Sequence, residues 1–184
     1  MTKKLQLYCL NEIKENYGEK RLREIIDSFE CEKNKEIERF VVCGEMENLH
    51  EKCDDNCVVS YFILDYNDKF LGFFSLYIKA FLFNEFNPNN SKPVFYIACL
   101  ARHGKVLHNE LDIKDILDLA FGKLYKVKEV IGGISTVMVD TDVEVVKNLY
   151  IEKYHFNEIT NPNNDAFLLV KELSDAHELS DKIP

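Results

Sequence analysis

The sequence predicts an α+β (mixed α/β) fold, a central mixed β-sheet of about six to seven strands flanked by about four helices. Three observations predict it. Helical and strand-like periodicities alternate along the whole chain. Two long apolar strands joined by a turn come first, which makes that part of the sheet antiparallel. A strand–helix–strand unit follows, and a crossover of that kind forces its two strands parallel.

The elements follow in order. Leu5 to Leu10 is a short apolar strand, and Asn11 to Glu30 carries Ile13, Leu22, Ile25, Ile26 and Phe29 at helical spacing. A second helix runs from Lys35 to Glu51. Val58 to Leu64 is an almost unbroken apolar run, Tyr66-Asn67-Asp68-Lys69 has turn chemistry, and Phe70 to Phe81 resumes the β-rich pattern. Apolar residues on both faces place this hairpin inside the sheet. Phe83 to Lys92 reads as a loop and Pro93 to Ala101 as the next strand. After the basic stretch Arg102 to His108, Asn109 is placed to cap a helix bearing Ile113, Ile116, Leu117, Ala120, Leu124 and Val127. Gly132-Gly133 ends it. Ile134 to Val139 is a β-branched strand, Val143 to Tyr154 a helix, and Ala166 to Glu172 the last strand.

Composition bounds the function. The chain has 184 residues, of which 46% are hydrophobic, and a formal charge of -9 from 32 acidic and 23 basic residues. That length supports one self-sufficient core, so residues 1–173 read as a single domain and 174–184 as a polar, frayed tail. The acidic balance argues against extensive nucleic-acid contact, which draws its affinity from lysine and arginine. No apolar run reaches the roughly 20 residues that cross a bilayer, and the expected location is cytoplasmic. The six cysteines hold one close pair, Cys53 and Cys57, with no answering pair, so no metal site is expected.

Three stretches carry a resemblance. Tyr96-Ile97-Ala98-Cys99-Leu100-Ala101 is similar to the fourth strand of the GNAT superfamily of N-acetyltransferases. The helix with Ile116-Leu117-Asp118-Leu119-Ala120 stands in place of that family's Leu-rich helix. Asn148-Leu149-Tyr150-Ile151-Glu152-Lys153-Tyr154-His155-Phe156 resembles its "LYEKYGF" segment. With Val130-Ile131-Gly132-Gly133, these look most like a branch of small bacterial GNAT proteins, some of whose wider relatives are toxins that acetylate aminoacyl-tRNA.

The resemblance implies a GNAT fold and acetyl-CoA as cosubstrate. It implies that backbone groups of Cys99, Leu100 and Ala101 receive the pantetheine arm. The pyrophosphate would rest at the following helix start, among Arg102, Lys105, Asn109 and Ile113, with His103 and His108 adding charge. It implies Tyr150 as the acid that protonates the leaving thiolate, with Tyr154 as a substitute. The base would be a water chain or Asp140, or be absent, since an amine that arrives largely neutral needs none. The chain departs from the family at the loop, where Leu107 to Ile113 lacks both expected glycines and Glu110 and Asp112 bring negative charge. The acceptor implied is an amine of a small molecule, peptide or aminoacyl-tRNA. Net acidity disfavours tRNA, for which Lys123, Lys126 and Lys128 are the candidate contacts. A homodimer through an edge strand near the C-terminus is a further expectation. The alternative is an inactive GNAT-fold interaction module that has lost the cofactor loop.

Overall fold

The computed structural model describes residues 5–32, 34–42, 58–82, 91–159 and 166–173. Its elements are β1 (Gln6–Cys9), α1 (Leu10–Asp27), α2 (Lys35–Val42), β2 (Val59–Leu64), β3 (Phe70–Leu82) and β4 (Ser91–Arg102). After them come α3 (Ile113–Ile131), β5 (Thr136–Thr141), α4 (Glu144–Tyr154), β6 (Asn157–Ile159) and β7 (Phe167–Glu172). The strands form one seven-stranded sheet in the order β1-β2-β3-β4-β5-β7-β6. It is mixed, as expected: β1, β2 and β3 pair antiparallel, β4 runs parallel to β5, and β7 pairs antiparallel with β5 and β6.

The β2–β3 hairpin forms where turn chemistry interrupts two apolar runs. Asp65 Oδ1 accepts from the backbone N–H of Asn67 at 2.7 Å and of Lys69 at 2.9 Å, and Asp68 takes the left-handed conformation with φ 60°. A short acidic side chain that binds its own turn is what this position requires.

Several boundaries correct the sequence expectation. The first helix is broken at Gly18, whose φ of 80° and ψ of 161° are not helical. The third helix begins at Ile113, so Asn109 does not cap it; Asn109 is exposed in the preceding turn. Asp112 is the cap instead, with Oδ1 accepting from Ile113 N–H at 2.7 Å, while Asp115 Oδ2 accepts from Asp112 N–H at 2.9 Å. The fifth strand starts at Thr136, two residues later than expected. Strand β6 was not foreseen, and it is the sheet edge near the C-terminus because β7 inserts between it and β5. The helical residues expected over 43–51, the Cys53 and Cys57 pair, loop residues 83–90 and the tail 174–184 lie outside the described residues.

The chain divides into two compact units. The first comprises residues 1–77 and 99–120. Its core packs Leu22, Ile25 and Ile26 of α1, past the break at Gly18, and Phe29 just after the helix onto Phe62, Phe70, Phe73 and Ala101. Phe29 is 2% exposed and meets the rings of Phe70 at 5.6 Å and Phe73 at 5.5 Å. Each such buried ring contributes roughly 1.5–3 kcal/mol.

The second unit comprises residues 78–98 and 121–184. All six residues of β5 pair with β7, from Thr136 with Glu172 to Thr141 with Phe167. Gly132 and Gly133, with φ of 65° and 71°, end α3 as expected. His155 ends α4 in the left-handed conformation, φ 57°, and its N–H and that of Phe156 both return to the Tyr150 carbonyl. Among the described residues no helix is long and apolar enough to cross a membrane, and no cluster of His, Cys, Asp or Glu could hold a metal ion.

Candidate active site

The sequence-predicted residues fall in both units. In the first, the end of β4 is held tightly against β3. A Cβ on Gly72 would lie 2.6 Å from the Ala101 carbonyl oxygen and 3.2 Å from Arg102 Cα, so only glycine allows this approach. The His103 N–H continues the pairing to the Leu71 carbonyl at 2.8 Å. Ala101 is buried, whereas Cys99 and Leu100 are half-buried.

The stretch after β4 is built around His103, which is 6% exposed. Its Nδ1 accepts from Lys105 N–H at 3.1 Å, so Nε2 carries the proton and donates to the Ser28 carbonyl at 2.7 Å. Its ring is flanked by Phe29 at 5.8 Å and Phe70 at 6.1 Å. His103 is thus a structural pin and is not offered to an anion, contrary to the sequence expectation. The other basic residues have their own partners. Lys105 pairs with Glu30 at 2.5 Å, and Arg102 lies 3.3 Å from His108 Nε2 and 3.4 Å from the Leu111 carbonyl. A cavity of about 300 Å³ opens beside this stretch, with Arg21, Ser28, Asp68, Lys69, His103 and Lys105 among its walls.

The first turn of α3 is occupied by its own carboxylates. Asp112 Oδ1 holds the N–H of Ile113 and Asp115 Oδ2 that of the capping residue Asp112, and Ile113, the first helical residue, is half-buried. Glu110 accepts from Leu107 N–H at 2.8 Å and pairs with Lys69 at 2.8 Å, and these bonds hold its carboxyl below the ordinary 4.5. A pyrophosphate could not use those helix-start donors without displacing the carboxylates. Arg102 is half-buried and Lys105 exposed, and the long contacts of the first and the surface ion pair of the second are ones that water can replace.

In the second unit, Tyr150 of α4 is 6% exposed and packs edge-on against Phe156 at 5.3 Å. Tyr154 is 7% exposed, with its ring 6.3 Å from that of Tyr150. The parallel ladder of β4 with β5 has only two register pairs, Phe95 with Val137 and Tyr96 with Met138. Just beyond it, the Tyr96 hydroxyl donates to Asp140 Oδ1. Lys79 of β3 places its ammonium 4.9 Å from the centre of the Tyr96 ring. The sequence offers Asp140 as a base but does not point to Tyr96 or Lys79 as its neighbours. The one available signal was a tyrosine in a strand whose parallel partner ends in Asp.

No family model matches the chain, and no curated protein matches it. Solved structures do. A tyrosine-to-phenylalanine mutant of KacT superposes with a TM-score of 0.68 at 14% identity, covering 94% of this chain and 96% of that one. AtaTR bound with acetyl-CoA gives a TM-score of 0.66 at 14% identity, covering 89% and 92%. AtaT complexed with acetyl-methionyl-tRNAfMet gives 0.64 at 16% identity, covering 90% and 94%. The likeness is one of fold: the seven-stranded mixed sheet and, among the described residues, four helices match the GNAT fold that the resemblance implied.

Proposed function

We propose that this protein is an acetyl-CoA-dependent N-acetyltransferase acting on an amine of a small molecule, a peptide or an aminoacyl-tRNA. The observation that carries the reading is the short β4–β5 ladder, two pairs between strands of 12 and 6 residues. Beyond Tyr96 and Met138 the register of β4 with β5 stops, and in this reading an extended ligand lies between the two strands there. Fold neighbours bound with acetyl-CoA support the cosubstrate, and AtaT with acetyl-methionyl-tRNAfMet supports an aminoacyl acceptor. Tyrosine-to-phenylalanine mutants of both AtaT and KacT draw attention to a tyrosine, for which Tyr150 is our candidate. A bacterial cytoplasm is the setting this reading assumes.

When bound, acetyl-CoA supplies an acetyl group activated as a thioester. Residues Cys99, Leu100 and Ala101 would bind its arm by their backbones, and Arg102 and Lys105 would meet its phosphates. The acceptor nitrogen, once it has lost a proton, attacks the thioester carbonyl, the new C–N bond forms, the C–S bond breaks, and the nitrogen sheds its second proton to solvent. Tyr150 Oη gives its proton to the sulfur and regains one from solvent. Packing of its ring against Phe156 fixes the place of the Tyr150 side chain on α4.

Calorimetry with acetyl-CoA tests the first step. Saturable binding is expected, and none at millimolar cosubstrate would end the enzyme reading. Tyr150→Phe should lower turnover by about 10²–10⁴-fold with cofactor affinity nearly unchanged. Full activity in that variant would remove Tyr150 from the role. A second reading, an interaction module without cofactor, is favoured by the carboxylates that occupy the start of α3. Co-purified CoA detected by mass spectrometry would count against it.

A further inference from the structure

We propose that Asp140 is the carboxylate that binds the acceptor's ammonium group, with Tyr96 as the residue that positions it. The proposal rests on the N-acetyltransferase reading for its meaning, but its geometry stands alone. Three adjacent strands each contribute one side chain: Lys79 from β3, Tyr96 from β4 and Asp140 from β5.

Tyr96 is 7% exposed, so its hydroxyl needs a partner, and it finds one in Asp140 Oδ1. Lys79 lies over the ring at 4.9 Å, and this cation–π contact restrains the ring that aims the hydroxyl. Asp140 itself is exposed. A carboxylate offers about four acceptor directions and Tyr96 uses one. Among the described residues, Oδ2 has no partner. A fixed anion with an open acceptor is suited to a cation with several N–H donors, and charge-assisted bonds of that kind are the strong ones.

Location adds the second argument. Tyr96 with Met138 is the last pair of the parallel ladder, and Asp140 stands two residues further along β5. An amine held there lies at the point where β4 and β5 cease to pair. A purely structural role would explain the buried tyrosine but not an exposed aspartate, a residue disfavoured in strands, as its partner.

The test uses alaninamide, a primary α-amine without a carboxylate, titrated calorimetrically into the full chain without cofactor. Wild type should bind it saturably, and Asp140→Asn should bind about tenfold more weakly. N-acetylalaninamide, which lacks the ammonium, should bind both proteins equally. Asp140→Glu, which keeps the charge, should stay within about threefold of wild type, and Tyr96→Phe should lose about threefold. Thermal melts confirm that each variant is folded. The proposal is overturned if wild type shows no alaninamide binding at tens of millimolar, or if Asp140→Asn matches wild type. Acetyl-CoA titrations on the same preparations separate the two ideas. Amine binding that depends on Asp140 without acetyl-CoA binding would keep this site and sink the enzyme reading. The reverse pattern would keep the enzyme and sink this site.

Discussion

Gly72 shows how one missing atom shapes the candidate site. Its hydrogen lets β3 approach the carbonyl of Ala101, one of the three residues whose backbones the acetyltransferase reading assigns to the cosubstrate. A methyl group there would have to push backbone, because Ala101 oxygen at 2.6 Å and Arg102 Cα at 3.2 Å are not flexible side-chain ends. Gly72→Ala should therefore cost about 1–3 kcal/mol of stability by overpacking, measured by denaturant unfolding. An unchanged midpoint would show that the strands can part freely. Residue identity alone could not have revealed this. A glycine in a strand signals close approach, but not to what. The same holds for Tyr96 and Asp140, which are 44 residues apart and meet because α3 returns the chain parallel to β4.

The elements were largely legible because they follow simple periods. The hairpin, the βαβ unit, the double-glycine stop and α4 all stand where apolar spacing and turn residues put them. The start of α3 did not, and the reason is chemical. Asn109 and Asp112 are both good caps, and the tight turn made by Glu110 and Leu111 N–H bonding to the Leu107 carbonyl uses up Asn109 before the helix begins. Strand β6, with three residues, is too short to show a period. The true cap has a consequence for binding. Asp112→Ser keeps a capping oxygen and removes a negative charge from the end of the helix where anions are favoured. Acetyl-CoA affinity should rise about two- to fivefold at low salt, and the gain should shrink at 0.5 M salt as the Debye length falls. Equal affinity of the two proteins at low salt would show that the phosphates lie elsewhere.

At the scale of the molecule, the charge of -9 conceals carboxylates in very different settings. Glu172 accepts from Thr136 Oγ1 at 2.6 Å and Ser135 Oγ at 2.7 Å, and these hydroxyls hold its carboxyl below the ordinary 4.5. A depressed value in the folded state means that its stabilising contribution is complete above about pH 4.5 and is lost as pH falls through the lowered value. Glu172→Gln should accordingly melt below wild type at pH 6, with the gap closing towards pH 3. A gap that is constant with pH would show that the hydroxyl bonds do not favour the ionised form. Only the aggregate charge could be read from composition. Extensive tRNA contact would draw on lysines and arginines, and one candidate, Lys128, is already engaged, since its Nζ donates to the Leu173 carbonyl at 2.8 Å.

The order β5-β7-β6 has a consequence for biosynthesis. A ribosome releases β6 before β7, yet β6 pairs only with β7, and β5 takes β7 along all six of its residues. Until residues 167–172 emerge, β5 has a bare edge and β6 no neighbour, so the nascent chain carries an open template for mispairing. Residues 167–172 thus carry the pairing of this half of the sheet, since they supply β6 with its neighbour and cover the edge of β5.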